Sequence, residues 1–148
     1  MQLNIEQFFH GEKKISICDA IIDKIIYNEV CVKFVFSDGF YIVGEDEKCT
    51  EAYIEIKNCL PDDFSCYSIK RTSTKDGAKV TGTPIALETL SSLLELNKCR
   101  IELFLELYDV NYLHWRGVLL PYKEDDLSDH IVIEICGTYP VTYSWIQK

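Results

Sequence analysis

Three histidines are the side chains best suited to acid–base chemistry near neutral pH, because an unperturbed imidazole titrates there. They are His10, His114 and His130. Nucleophilic catalysis would also need a serine or cysteine beside a base and a third group that orients the base. Neither a G-x-S-x-G sequence nor a papain-like cysteine context accompanies any histidine. The sequence therefore predicts no catalytic residues and no enzymatic activity. The alternative is a small enzyme or ligand-binding domain that uses His114 and nearby carboxylates.

A metal site would have to combine His114, His130 and Cys136 with the acidic segment 124–129. That segment reads EDDLSD and lacks both the EF-hand pattern and its central glycine. Glycine-rich phosphate-binding loops are also missing from the sequence. The acidic segment is therefore interpreted as a surface loop, and no metal or other cofactor is expected.

The chain holds seven cysteines, and no two of them have C-x-x-C spacing. The absence of this spacing excludes a zinc knuckle and a thioredoxin-type motif. The cysteines are therefore interpreted as small buried side chains. The first residues lack a basic segment followed by an apolar one, which is the pattern of a signal peptide. No apolar run approaches membrane-spanning length. Together these features predict a protein of the reducing cytoplasm.

Acidic residues outnumber basic ones by 24 to 15, which gives a net charge of −9 over 148 residues. This charge opposes binding to nucleic acid or to an anionic membrane and favours a basic partner. A chain of this length that is 47% hydrophobic predicts one folded domain over residues 1–148. The basic cluster Lys70, Arg71, Lys75 and Lys79 is interpreted as a charged hairpin that keeps a sheet edge soluble.

Aromatic and acidic residues follow one another in the C-terminal third of the chain, and a second acidic loop lies near residue 45. Aromatic anchors surrounded by charge are typical of protein–protein hot spots. Alternation along a strand puts Leu113 and Trp115 on one face and Tyr112 and His114 on the other, and Trp115 is expected to pack in the core. The sequence predicts a partner-binding surface, whose residues are Glu45, Asp46, Glu47, Tyr112, His114, Tyr122, Glu124, Asp125, Asp126 and Asp129.

The elements that must position these residues begin with the alternation from Ile101 to Tyr108, which predicts a half-buried strand. Glu102 and Glu106 fall together on the face predicted to meet solvent. By strand rise they would lie about 13 Å apart, too far for a glycosidase carboxylate pair. Strands over Tyr112–Leu120 and 131–135 are expected to follow.

Other predicted elements come from turn and capping signals. Asp-Gly pairs at 38–39 and 76–77 predict hairpins. Residues 4–10 predict a short helical turn, and Thr83-Pro84 predicts the start of the main helix near 84–97. The last strand, 141–146, is expected at a sheet edge. The predicted fold class is α+β, with a mainly antiparallel, strongly twisted or sandwich-like sheet.

The acidic charge, the missing catalytic motifs, the N-terminal turn (NIEQFFHG, 4–11) and the meander of strands together resemble the immunity proteins of bacterial toxin systems, including contact-dependent inhibition. The resemblance is one of type over the whole chain and identifies no individual residues. It implies a cytoplasmic protein that binds and blocks the toxic domain of a cognate nuclease or similar effector. An acidic surface suits that role, because it can cover a basic cleft with fast, salt-dependent association.

Overall fold

The structure is a computed structural model and describes residues 1–9, 11–96, 99–121 and 130–146. Thirteen strands, one α-helix and one 3-10 turn are found in these ranges. Their bounds are β1 Gln2–Phe8, β2 Ile15–Ser16, β3 Ile21–Ile22, β4 Lys24–Tyr27, β5 Cys31–Phe36, β6 Tyr41–Ile42, β7 Thr50–Lys57, the 3-10 turn Pro61–Asp63, β8 Phe64–Thr74, β9 Gly77–Pro84, α1 Leu87–Leu96, β10 Arg100–Asp109, β11 Tyr112–Leu120, β12 His130–Cys136 and β13 Pro140–Ile146.

Two large antiparallel sheets are formed by these strands. The five-stranded sheet has the order β1-β13-β7-β5-β4, and the six-stranded sheet has the order β3-β10-β11-β12-β8-β9. A small third sheet pairs β2 with β6. The predicted combination of a mainly antiparallel sheet with one main helix is therefore confirmed.

Buried side chains from both large sheets and from α1 form one contiguous hydrophobic cluster. Phe34 of β5 and Trp115 of β11 meet in it edge to face, with ring centroids 5.0 Å apart. Such aromatic pairs contribute about 0.5–1.5 kcal/mol beyond the area that they bury. The prediction that Trp115 packs in the core is confirmed. On the helix, Leu90 and Leu94 are buried, and Ser91 Oγ donates a 2.9 Å hydrogen bond to the Ile25 carbonyl of β4.

The predicted N-terminal helical turn is wrong, because residues 2–8 form strand β1. Leu3 and Ile5 turn toward the core at a period of two, whereas Phe8 is exposed. Pairing with β13 supplies the backbone hydrogen bonds that a helix would otherwise make internally. This pairing also places β13 between β1 and β7, so the expectation that the last strand lies at an edge is wrong too.

The main helix begins later than predicted, because β9 continues through Pro84. Pro84 lies opposite Tyr67 in the ladder with β8 and is the last residue of that strand. Proline is tolerated there because β9 is an edge strand. The helix starts at Leu87, and the Leu90 amide donates to the Ala86 carbonyl at 3.0 Å. The predicted C-terminal residue Asn97 lies outside the described residues.

The two Asp-Gly turns have different outcomes. The turn at residues 76–77 joins β8 to β9, so this hairpin is confirmed. At residues 38–39 the chain does turn, with Gly39 at φ +77°, but the following strand β6 pairs with β2 and not with β5. The reason is that both sides of β5 are already occupied, by β4 and β7.

Candidate functional site

A β-bulge in β10 decides which side chains of this strand face the core. The pairing of β10 with β11 shifts register between Leu103 and Leu105. Before the bulge Ile101 and Leu103 are buried, and after it Leu107 is 51% exposed while the Glu106 side chain is only 3% exposed. A bulge inserts one residue and so exchanges the two faces of the strand. The prediction that Glu106 faces solvent is therefore wrong.

Glu106 is accommodated inside the protein because its carboxylate has specific partners. Oε2 accepts hydrogen bonds from the amides of Ile17 at 2.7 Å and Cys18 at 3.0 Å. Lys13 Nζ lies 3.0 Å from Oε1. Oε1 has no directed hydrogen bond within the described residues, so Lys13 acts on it as an ion-pair partner. Glu106 thus fastens the segment before β3 to β10 and has a structural role.

Strand β11 keeps the alternation that its sequence predicts. Leu113 and Trp115 are fully buried, whereas Tyr112, His114 and Arg116 are half-buried on the opposite face of the six-stranded sheet. We call this opposite side, which does not contribute to the core, the outer face. It is the surface on which the predicted residues Tyr112 and His114 meet.

Four side chains on the outer face form a hydrogen-bonded group that we call the His114 cluster: Tyr67, Tyr112, His114 and Glu134. His114 Nδ1 lies 3.2 Å from the Tyr112 hydroxyl and 3.1 Å from Glu134 Oε1. The Tyr67 hydroxyl donates to the same Glu134 oxygen at 2.5 Å. The cluster therefore joins strands β8, β11 and β12 across the centre of the sheet.

The electrostatics of the cluster keep its phenols protonated. The hydrogen bond to Glu134, followed by burial, raises the pKa of Tyr67 to about 12. Burial, followed by the charge of Glu134, raises the pKa of Tyr112. Both hydroxyls remain neutral near pH 7, where they can donate hydrogen bonds to a carboxylate or to a partner.

The cluster contains part of a catalytic arrangement. A carboxylate beside an imidazole is the base-orienting pair of many hydrolases. Within the described residues, however, the hydrogen-bond partners of His114 are Tyr112 and Glu134, and neither is a serine or a cysteine. The pockets beside α1 and the pocket between β8, β9, β11 and β12 are lined by other residues. The arrangement is better suited to presenting hydrogen-bonding groups on the outer face of the sheet.

The acidic loop Glu45-Asp46-Glu47 lies in the connection between β6 and β7, and all three residues are exposed, as predicted. A bridge between Tyr41 and Lys48 closes this loop at its base. No hydrogen bond or ion pair in the described part of the chain joins this loop to the His114 cluster. Five other predicted residues lie outside the described residues, namely Tyr122, Glu124, Asp125, Asp126 and Asp129.

Sequence reasoning missed Tyr67 and Glu134, which complete the cluster. Alternation alone puts Glu134 on the face opposite Ile131, Ile133 and Ile135, which are the core residues of β12. The order of the strands, which places β12 between β11 and β8, then brings both residues to His114. Because that order depends on distant parts of the chain, no local signal in the sequence identifies these two partners.

A pocket of about 660 Å³ beside the start of α1 lies away from the His114 cluster. Its lining includes Tyr27, Cys59, Phe64, Cys66 and Leu87. Burial raises the pKa of Cys59 to about 11 and that of Cys66 to about 12. These thiols therefore stay protonated at neutral pH and act as apolar wall residues.

Neither a metal site nor a membrane-spanning helix is found in the described ranges. No group of three or more histidine, cysteine or acidic side chains could hold a metal ion there. No helix in the same ranges is long and apolar enough to cross a membrane. Comparison with protein-family models, with curated proteins and with solved structures gave no match to this chain.

Proposed function

We propose that this chain is an immunity protein that binds and neutralises a cognate bacterial toxin domain by protein–protein contact. The observation that carries the proposal is the His114 cluster, in which aromatic hydrogen-bond donors stand together on the outer face. Tyrosine and arginine dominate the binding energy of protein interfaces, and Tyr67, Tyr112 and Arg116 share this face. Their hydrogen bonds to neighbours hold them in place, which lowers the entropy lost on binding.

Charge supports a basic partner, most simply a nuclease whose cleft binds phosphates. The chain carries −9, and the loop Glu45-Asp46-Glu47 exposes three of its acidic residues. Opposite potentials accelerate the encounter of two proteins by about 10- to 1000-fold at low salt. In this proposal the acidic loops guide association, and the His114 cluster supplies the lasting contacts.

The proposal also includes the finer features of the architecture and setting. We propose a single domain over residues 1–148 that works in the cytoplasm without a cofactor. A sandwich-like arrangement of the two sheets is supported by the ring contact between Phe34 and Trp115, which come from different sheets. This arrangement leaves the outer face open to a partner.

The alternative is a small enzyme or ligand-binding domain that uses the His114–Glu134 pair, whose 3.1 Å separation suits a base and its orienting group. The two functions make different demands on Tyr112. A binding surface needs the ring and hydroxyl of Tyr112 as a contact for the partner. A catalytic imidazole at His114 depends more on Glu134, which orients it, than on Tyr112. Comparing Tyr112→Ala with Glu134→Gln therefore separates them.

The decisive experiment expresses the protein encoded beside this chain's gene in bacteria, alone and together with the chain. We expect toxicity from the neighbour alone, restored growth on co-expression and a 1:1 complex after purification. The double variant Tyr112→Ala with His114→Ala should lose protection. Tyr27→Ala, which removes an exposed tyrosine of the other sheet, should keep it. A toxic neighbour that the chain neither binds nor neutralises, or a neighbour without toxicity, would overturn the proposal.

Charge reversal tests the guiding role of the acidic loop separately. Converting Glu45, Asp46 and Glu47 to lysine adds six charges and changes the net charge from −9 to −3. We expect association with the toxin to slow about tenfold or more at low salt, and much less at high salt. Asp125→Lys with Asp126→Lys applies the same test to the second acidic segment. Unchanged association rates in both variants would show that neither loop guides the partner.

A further inference from the structure

We propose that a second site on the outer face, beside the His114 cluster, binds a small ligand that carries an oxyanion on a compact apolar body. The site is a pocket of about 300 Å³ between strands β8, β9, β11 and β12. Its lining residues are Ile69, Arg71, Ala78, Val80, Arg116 and His130. Either a carboxylate or a phosphate fits this chemistry. The inference goes beyond the proposed function and does not depend on it.

Arg116 supplies the main reason to expect an anion. Its Nε is buried and has no hydrogen-bond partner within the described residues. Its Nη2 lies 3.4 Å from His130 Nδ1, and no carboxylate of the described residues forms an ion pair with its guanidinium. An arginine that lines a pocket and has neither an acceptor for its Nε nor an ion-pair partner among the described residues gives a reason to expect an anion beside it.

The neighbouring carboxylate on the outer face is already engaged. Glu134 stands two residues from Val132, which is the partner of Arg116 in the ladder. Its Oε1 is contacted by both His114 and the Tyr67 hydroxyl. The Glu134 carboxylate is therefore engaged within the His114 cluster, and Arg116 lines the pocket without a carboxylate partner among the described residues.

The rest of the pocket has the composition of an anion site with apolar walls. Arg71 of β8 is a second arginine among the lining residues. Because the chain as a whole carries −9, an excess of basic residues cannot explain two arginines at one pocket. Guanidinium groups bind carboxylates and phosphates with paired, charge-assisted hydrogen bonds. Ile69, Ala78 and Val80 form apolar walls, which lower the local dielectric and strengthen these bonds.

The ligand class follows from combining the two cations with these walls. Inorganic phosphate alone would leave the apolar walls unused. An aromatic or aliphatic body that covers roughly 60 Å² of wall would gain about tenfold in affinity. We therefore expect small aryl or alkyl phosphates and carboxylates to bind better than bare phosphate does.

Isothermal titration of the full chain with phenyl phosphate, benzoate and inorganic phosphate tests the site. We expect one molecule of phenyl phosphate or benzoate per chain, bound about tenfold more tightly than inorganic phosphate. Arg116→Met keeps the apolar stem and removes the guanidinium, so it should weaken binding at least about tenfold. Lys75→Met, which removes a charge from the same β8–β9 hairpin outside the pocket, should change the affinity less than twofold.

The fold of the variants and the pattern of their binding distinguish a specific pocket from a general basic surface. Circular dichroism and urea unfolding establish that Arg116→Met is folded, and Arg71→Met gives the same test if it is not. Failure of all three anions to bind the wild type would overturn the site. Equal losses in the Arg116 and Lys75 variants, or tight binding of single-stranded DNA without binding of phenyl phosphate, would overturn it as well. These results would indicate a general basic surface in place of a pocket.

Discussion

Removal of the Glu106 carboxylate should be one of the most destabilising single changes in the chain. The side chain is 3% exposed and accepts hydrogen bonds from the amides of Ile17 and Cys18. Hydrogen bonds to a charged group contribute about 1.5–3 kcal/mol each. The ion pair with Lys13 adds little, about 0–1 kcal/mol, because Lys13 is 52% exposed. Glu106→Ala should therefore lower the free energy of unfolding by about 3–5 kcal/mol.

The assay is urea unfolding followed by tryptophan fluorescence at pH 7. With a slope of about 2 kcal/mol per molar urea, the Glu106→Ala midpoint should fall by roughly 2 M. Glu106→Gln keeps the shape and one acceptor oxygen but loses the charge, so we expect about 1–3 kcal/mol. Lys13→Met should cost less than about 1 kcal/mol, because it removes only the exposed partner of the ion pair.

The matched control is Glu102→Ala on the same strand, since Glu102 is half-buried and belongs to none of the hydrogen bonds described here. We expect it to change the free energy of unfolding by about 0.5 kcal/mol or less. Equal effects of the Glu102 and Glu106 substitutions would refute the reasoning. So would a Glu106→Ala variant that loses less than 1 kcal/mol, because two buried amides cannot be left without acceptors at so small a cost.

Two further predictions concern backbone geometry and pH. Gly39→Ala should destabilise the protein by several kcal/mol in thermal unfolding, because an added Cβ would lie 1.7 Å from the Cys49 carbonyl oxygen. Gly44 has open space around it, so Gly44→Ala should cost only about 1–2 kcal/mol, which comes from its positive φ. Burial raises the pKa of Tyr143 to about 12, so the folded state binds more protons than the unfolded state between pH 10 and 12. The stability that the protonated Tyr143 contributes is therefore complete below pH 10 and is lost as the pH rises from 10 to 12. In Tyr143→Phe the urea midpoint should decrease less steeply over this pH range.

Local patterns predicted the parts of the fold in which neighbouring residues determine the structure. The hairpin of β10 and β11 and the hairpin of β8 and β9 follow from alternation and from turn residues. The alternation of β11 also predicted that Trp115 is buried and that Tyr112 and His114 are not. In both hairpins the paired residues lie within about twenty positions of one another in the chain.

Two of the wrong predictions have a different cause, because each structure depends on a strand partner that is distant in the sequence or on its absence. Residues 4–10 have apolar spacing that fits a helix, whereas pairing with β13, more than 130 residues away, makes residues 2–8 a strand. Strand β6 follows an Asp-Gly turn and still pairs with β2, since β5 has no free edge. Tertiary pairing overrides local propensity in both places.

The bulge in β10 determines which side chains lie beside the His114 cluster, and the sequence contains a local signal for it. Leu103, Phe104 and Leu105 are three consecutive apolar residues, which break the alternation where the register shifts. The shift sends Glu106 inward and leaves Leu107 on the outer face, opposite His114 in the ladder. Without it, the outer face would carry a carboxylate opposite His114, close to Glu134. The exchange of one acidic side chain for an apolar one thus leaves His114 with a single acidic partner and gives the outer face a more apolar, interface-like composition.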